Sequence, residues 1–159
     1  KKNIFMFASA ISFLISIILA YIFYKKKGIL FDSDIINRKL SCEMIETLDL
    51  NNFSMSVNFF ENSVNQLINK DLKNIGLFAL NSKNINNFES FINKISAKNK
   101  SKNISEIDLF DFKTIKDIEV IILFIQSKNI NSNELSLIEK YIKLNKEKVL
   151  GWFFLENKY

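Results

Sequence analysis

The first feature of the chain is an uninterrupted apolar run near its start. Ile4–Tyr24 contains no charged side chain over 21 residues. At about 1.5 Å per residue, a helix of this length crosses roughly 30 Å of hydrocarbon. A cleaved signal peptide has a shorter apolar core, of about 7–15 residues, followed by a small-x-small cleavage site. The pattern therefore predicts a retained transmembrane helix. The alternative for such a run is a helix buried in a protein core.

The residues at the end of this run suit the interface between a membrane and water. Tyr24 has an amphipathic ring, and Lys25, Lys26 and Lys27 have long stems that let the ammonium group reach the headgroups. We expect these four residues to be interface anchors.

Small side chains recur along one face of the predicted helix. They are spaced four residues apart, at Ala8, Ser12, Ser16 and Ala20. Small residues let two membrane helices approach closely, so that dispersion contacts and hydroxyl hydrogen bonds can form between them. The stripe predicts a helix-packing face. The alternative is a chance pattern, because the run contains six Ala and Ser residues.

Positive charges flank both ends of the run. Lys25–Lys27, Arg38 and Lys39 favour a cytoplasmic domain, whereas Lys1 and Lys2 oppose that orientation. A short basic tail before an apolar helix commonly acts as a signal anchor, and long domains translocate largely regardless of their charge. We therefore expect the domain that follows to lie outside the cytoplasm.

Residues 28–159 have the length of a single soluble domain, with residues 1–27 as the anchor. Apolar residues at four-residue spacing predict a helical region over 34–69. Those of its first half are Ile36, Leu40, Met44 and Leu48. In its second half, 53–69 has a helical period, although 54–59 also alternates as a strand does.

Residues 70–159 alternate between short β-branched or aromatic runs and helical patterns. Strands are predicted at Asn74–Leu80, Ile104–Phe110, Glu119–Ile125 and Val149–Leu155. Helices are predicted at Phe88–Ile95 and Glu134–Leu144, the second preceded by a capping box of Asn131 and Glu134. Glu119–Ile125 has the pattern of a central strand buried on both faces, flanked by Ile75–Leu80 and Val149–Leu155.

This alternation predicts a small α/β domain with a mostly parallel sheet behind the transmembrane helix. An all-α soluble domain is the alternative, because several apolar residues also fit one helix face. They are Ile107, Phe110, Ile118, Ile121, Ile122 and Ile125.

The formal net charge of +5 comes entirely from the N-terminal lysines. After Lys27 there remain 17 basic and 17 acidic residues, so the predicted domain is neutral. A neutral domain lacks the basic surface that a nucleic-acid-binding protein needs, and no nucleic-acid partner is expected. The abundance of Lys, Asn, Ile and Phe is typical of an AT-rich genome.

The composition also removes much catalytic chemistry. The chain has no histidine, and Cys42 is its only cysteine. Imidazole bases, His metal ligands, Cys-His pairs and disulfides within the chain are therefore excluded. Three glycines cannot form a phosphate-binding loop. Asp108 and Asp111, at the end of a predicted strand, could hold a cation or act as a carboxylate pair, with a solvated pair after the strand as the alternative.

The C-terminal part has a family resemblance. Three segments carry it, Asp117–Phe124, Asn133–Lys143 and Val149–Leu150. In this order they resemble the Rossmann-like, glutamine-amidotransferase-like domain of gliding-motility-type ABC transporter auxiliary proteins. Asn145 and Lys146 stand where that family turns through glycines. The resemblance implies a non-catalytic sensing or docking domain.

Taken together, these patterns predict a non-enzymatic, single-pass accessory subunit, without metal or cofactor, in a larger membrane complex. Its expected partners are the lipid bilayer and other membrane protein subunits, which it would contact through the helix and the domain. The alternatives are a membrane tether that recruits a soluble partner, or a carboxylate-dependent enzyme.

Overall fold

The computed structural model describes residues 11–22, 33–67, 72–127 and 130–156. Residues 11–22 are helical and form α1. The helices that follow are α2 (Ser33–Lys39), α3 (Phe53–Leu67), α4 (Phe88–Lys98), α5 (Phe112–Ile115) and α6 (Ser132–Leu144). The strands are β1 (Met44–Asp49), β2 (Asn74–Ala79), β3 (Asn103–Glu106), β4 (Val120–Gln126) and β5 (Val149–Glu156), and a short 3-10 helix spans Ser82–Asn84.

The five strands form one sheet, which is parallel throughout, in the order β1-β5-β4-β2-β3. The prediction that the run near residue 120 is the central strand, flanked by the strands near 75 and 149, is confirmed. Every residue of β4 is buried. Ile121, Ile122 and Ile125 lie in this strand, so the all-α alternative is wrong.

Helices cover both faces of the sheet, as a strand buried on two sides requires. Val120, Ile122 and Phe124 of β4 point into a first core, with α3 and α4. Ile121, Leu123 and Ile125 point into a second core, with α2 and α6. The alternation follows from the two-residue period of a strand.

Stacked and edge-to-face aromatic rings fill the centre of the first core. Phe60 of α3 and Phe124 of β4 each contact Phe91 and Phe153, with ring centroids 5.4 to 5.9 Å apart. These separations lie in the range in which aromatic pairs add stability beyond the area that they bury. The phenylalanines therefore fix how α3 and α4 sit on the sheet.

The predicted capping box at the start of α6 is confirmed. Asn131 Oδ1 accepts hydrogen bonds from the backbone N–H groups of Asn133 and Glu134, at 2.9 and 3.0 Å. Glu134 Oε2 in return accepts from the Asn131 N–H at 2.8 Å. Backbone donors that the first helical turn leaves free are thus satisfied.

A carboxylate joins the amino ends of two neighbouring strands. Glu119 Oε2 accepts hydrogen bonds from the backbone N–H groups of Asn74, at 2.9 Å, and Lys73, at 2.6 Å. These two bonds lower the pKa of Glu119, with Asn74 as the larger cause, because they favour the charged form. Glu119, just before β4 begins, thus links the start of β4 to the start of β2 through its side chain.

The predicted helical region over 34–69 is wrong in part, because Met44–Asp49 is a strand. A spacing of four residues fits the period of a strand as well as that of a helix, and β5 supplies the pairing that decides between them. A register irregularity between Met44 and Glu46 also breaks the alternation that indicates a strand. The ambiguous segment that follows is helical over Phe53–Leu67, and residues 68 and 69 lie outside the described ranges.

The strand predicted at Ile104–Phe110 is shorter and begins earlier, at Asn103–Glu106. A turn replaces its second half. Asp108 Oδ1 accepts from the Phe110 N–H at 2.9 Å, and the Asp111 N–H donates to the Asp108 carbonyl at 3.1 Å. An Asp side chain that bonds the backbone two residues on is a common way to leave a strand.

Only residues 11–22 of the predicted span Ile4–Tyr24 are described, and all twelve are exposed. Ala8, Tyr24, Lys25, Lys26 and Lys27 lie outside the described residues. Within the described ranges, no helix combines the length and the apolar character that crossing a membrane requires. The transmembrane helix therefore stays a prediction.

Two glycines of the sheet differ in what surrounds them, and this difference generates a stability prediction. A Cβ added at Gly151 in β5 would lie 2.7 Å from the Glu43 carbonyl oxygen, next to the edge strand β1. A Cβ at Gly76 would lie 2.6 Å from Ile107 Cδ1, the flexible end of a side chain. We expect Gly151→Ala to lower the free energy of unfolding by about 1–3 kcal/mol, because backbone must move. Urea titration should show a smaller loss of unfolding free energy for Gly76→Ala than for Gly151→Ala. An equal or larger loss for Gly76→Ala would contradict this account of the β1–β5 contact.

Candidate functional site

At the carboxyl edge of the sheet, the connections that follow the neighbouring strands β2 and β3 leave toward opposite faces. The chain leaves β2 toward the first core, which contains α4, and leaves β3 toward the second core, which contains Leu109 and Ile115. Because the two connections diverge, they leave a crevice above the strand ends. Ligands of open α/β sheets bind at such switch points.

A cleft of about 680 Å³ lies at this point. It is formed by the end of β2 with the 3-10 turn that follows, and by the turn after β3. Its lining residues are Phe78, Ala79, Leu80, Asn81, Ser82, Lys83, Asn84, Glu106, Ile107, Asp108 and Phe110. The volume is in the range of small-molecule sites.

Local backbone features shape the cleft. Asn81 has a left-handed conformation, with φ 55° and ψ 40°, and its carbonyl accepts from the Asn84 N–H at 2.8 Å. Asparagine tolerates this conformation better than most residues. On the other wall, the exposed ring of Phe110 meets Phe78 edge-on, with centroids 6.5 Å apart. The cleft therefore offers an aromatic surface beside amide and charged groups.

The two carboxylates singled out in the sequence serve the backbone here. Asp108 lines the cleft and caps the Phe110 N–H, whereas Asp111 caps α5 by accepting from the Lys113 N–H at 3.0 Å. Both are exposed. Within the described part of the chain, no group of three or more acidic or cysteine side chains could hold a metal ion.

Sequence reasoning missed Asn81, Lys83, Glu106 and Phe110 as lining residues. Asn81 to Asn84 follow a predicted strand, and a position just after a strand is the one sequence feature that could indicate residues of a site at the carboxyl edge. This feature does not identify the cleft, because the order of strands in the sheet decides which strand ends lie side by side. Glu106 lies at the end of β3, which was predicted to continue to Phe110.

Cys42 lies between α2 and β1 and is partly buried against the second core. Desolvation, followed by the nearby charge of Glu139, raises the pKa of its thiol to about 11. Glu139 is held in place, because its Oε2 accepts from the Ser41 N–H at 2.8 Å and its Oε1 lies 3.0 Å from Lys143 Nζ. A thiol in this setting is a poor nucleophile.

Of the predicted helix-packing stripe, Ser12, Ser16 and Ala20 lie within α1. Ser16 Oγ donates to the backbone carbonyl of Ser12 at 2.9 Å, so this hydroxyl proton is already used inside the helix. Contact at Ser16 would therefore depend on close packing more than on a hydrogen bond to another helix.

Comparisons of the chain with protein-family models, with curated proteins and with solved structures found no match.

The environment of Cys42 predicts slow labelling by maleimide in the folded protein. A pKa raised from 9.0 to about 11 leaves about a hundredfold fewer thiolates near neutral pH. Stability linked to this thiol is present below pH 9 and is lost as the pH rises toward 11, because the unfolded chain ionises first. The native labelling rate should therefore stay low and rise steeply over that interval, and denaturant should restore ordinary reactivity. Equal rates in native and denatured protein at neutral pH would contradict this environment.

Proposed function

We propose that the chain is a non-enzymatic, single-pass accessory subunit. Its N-terminal helix holds it in a membrane, and its α/β domain, on the extracytoplasmic side, docks onto a larger membrane protein complex. The observation that carries the proposal is the surface of α1. All twelve of its described residues are exposed and none is charged, so no part of the described chain covers this apolar surface.

An apolar surface of this kind requires something to cover it. A helix that is apolar on every side is typical of a protein core or a membrane span. The sheet offers α1 no place, because α3 and α4 already pack on one face and α2 and α6 on the other. The uncharged sequence continues on both sides of residues 11–22, from Ile4 to Tyr24, which supports a lipid environment.

The small-residue stripe supports assembly with other membrane subunits. Lipid gives no hydrophobic drive for helix association, so close packing between small side chains has to supply it. Ile11 and Ile18 are also exposed, at 53 and 55%, and lipid would contact them. A helix that both assembles with another subunit and contacts lipid needs one face for each, and the small-residue stripe and the isoleucine face would serve these two purposes.

The domain supports a docking role over a catalytic one. Asp108 accepts a hydrogen bond within a turn and Asp111 caps α5, and the charged residues that line the cleft are exposed. A parallel Rossmann-like sheet is compatible with the resemblance to ABC transporter auxiliary proteins, which we retain as part of the proposal. A tether that recruits a soluble partner would use the same anchor without the helix-packing face.

Replacing Ser12 and Ser16 by leucine tests the stripe. Leucine raises the hydrophobicity of the helix, so insertion should be unimpaired, but it pushes the two backbones apart and removes their close contact. We expect the double variant to remain in the membrane fraction and to lose most of the partner that co-purifies in mild detergent.

The matched control is Ile11→Leu with Ile18→Leu, which should leave the yield of partner unchanged. If both double variants retain the same partner in the same yield, the stripe has no role in assembly. A wild-type chain that purifies as a monodisperse monomer without a membrane partner would overturn the subunit proposal.

A further inference from the structure

A second surface of the domain combines positive charge with exposed leucines. It lies on the outer side of α6, where α2 packs against it. Lys39 Nζ donates to Ser132 Oγ at 2.6 Å, and the Ser41 N–H donates to Glu139 Oε2, so the end of α2 is held along α6. A depression of about 340 Å³ between the two helices is lined by Lys39, Leu135, Ser136, Glu139, Lys140 and Lys143.

The charge of this surface is positive. Three lysines surround one carboxylate, and Glu139 is already bound by the Ser41 N–H and by Lys143 at 3.0 Å. All three lysines are exposed. An anionic group placed over the depression would therefore meet ammonium groups from two helices.

Apolar side chains stand beside these lysines. Leu137 is 51% exposed. Leu144 is 84% exposed, the highest value for a large apolar side chain among the described residues. Leu137, Lys140 and Leu144 are three and four residues apart, so they share the outer face of α6. The inner face is buried in the second core through Leu135, Ile138, Tyr141 and Ile142. Exposed leucines beside lysines on one helix face suit a membrane surface, because leucine can enter the headgroup boundary while the long stem of lysine keeps its ammonium group at the headgroups.

The covalent chain limits the distance between this surface and the proposed anchor. Eight residues, 25–32, separate Tyr24 from the start of α2 at Ser33. Even a fully extended connection of that length spans only roughly 30 Å, at about 3.3–3.6 Å per residue. The end of the predicted span can therefore lie no farther than roughly 30 Å from the start of α2, the helix that contributes Lys39 to this surface.

We propose that the surface of Lys39, Leu137, Lys140, Lys143 and Leu144 rests on anionic headgroups of the same bilayer that holds α1. The lysines contact lipid phosphates, and the two leucines enter the headgroup boundary. This contact fixes which side of the domain faces the bilayer. The inference rests on the membrane anchor proposed above.

The test is lysine footprinting of the full chain in lipid nanodiscs, where both sides of the bilayer are accessible. One sample contains phosphatidylcholine alone, and in the other this lipid is partly replaced by phosphatidylglycerol. A water-soluble acylating reagent is added, and the reaction rate of each lysine is followed by mass spectrometry. We expect Lys39, Lys140 and Lys143 to react about fivefold more slowly in the anionic discs. An attraction of about 1 kcal/mol between each lysine and the anionic surface implies this factor.

The same molecule contains the matched controls. Lys83 and Lys100 are exposed but lie outside α2 and α6, so their rates should be the same in both lipids. Salt at about 1 M shortens the Debye length to about 3 Å and should remove most of the protection.

A pair of variants tests the apolar part of the surface. Leu137→Ser with Leu144→Ser should weaken the protection of the three lysines without unfolding the domain, because both leucines are exposed. Met55→Ser with Phe59→Ser, which changes an exposed apolar pair on α3 at the opposite face of the sheet, should leave that protection intact.

The outcomes separate this inference from the proposal on which it rests. A chain that fails to co-elute with nanodiscs overturns the membrane anchor and this inference with it. A chain that co-elutes but shows equal lysine rates in the two lipids overturns the headgroup contact alone. Protection that is independent of lipid charge and grows with protein concentration assigns the surface to a second copy of the chain, which also overturns the inference.

Discussion

The structure depends on the burial of β4 from both sides. A strand without an exposed face needs neighbours that supply hydrogen bonds on both edges and helices that cover both faces. β2 and β5 supply the edges, and two separate cores supply the cover. Parallel pairing follows, because each helix that crosses a face returns the chain to the same end of the sheet. The other elements of the domain take their places from this requirement.

Two candidate surfaces result from the same arrangement. β2 sends the chain to one face while its neighbours β3 and β4 send it to the other, so the carboxyl edge opens into the cleft. On the second core, α6 has to bury one face, and its outer face then presents leucines and lysines next to α2. The sheet is fully used by these helices, and α1 is left as the apolar surface without cover among the described residues.

Local pattern predicted the elements whose signal lies within one segment. β4 was recognisable because nearly every residue is apolar. The start of α6 was recognisable because Asn131 followed three residues later by Glu134 is the sequence pattern of a capping box. β1 was not recognised, because spacing of four fits helix and strand alike and its partner β5 lies about 100 residues later. The cleft was missed for a related reason. Glu106 and Lys83 line the same cleft only because β2 and β3 are adjacent, which depends on strand order.

The central claim, that the N-terminal helix holds the chain in a membrane, is tested most directly by alkaline carbonate extraction of membranes that contain the full chain. Carbonate releases proteins that bind at the surface and leaves membrane-spanning proteins in the pellet. The control is the full chain with Ile15→Lys and Ile18→Lys, since each lysine at a helix centre costs about 2.5–3.5 kcal/mol of insertion free energy. We predict that the wild-type chain stays in the pellet and that the variant moves to the supernatant. Release of the wild-type chain by carbonate would contradict the account.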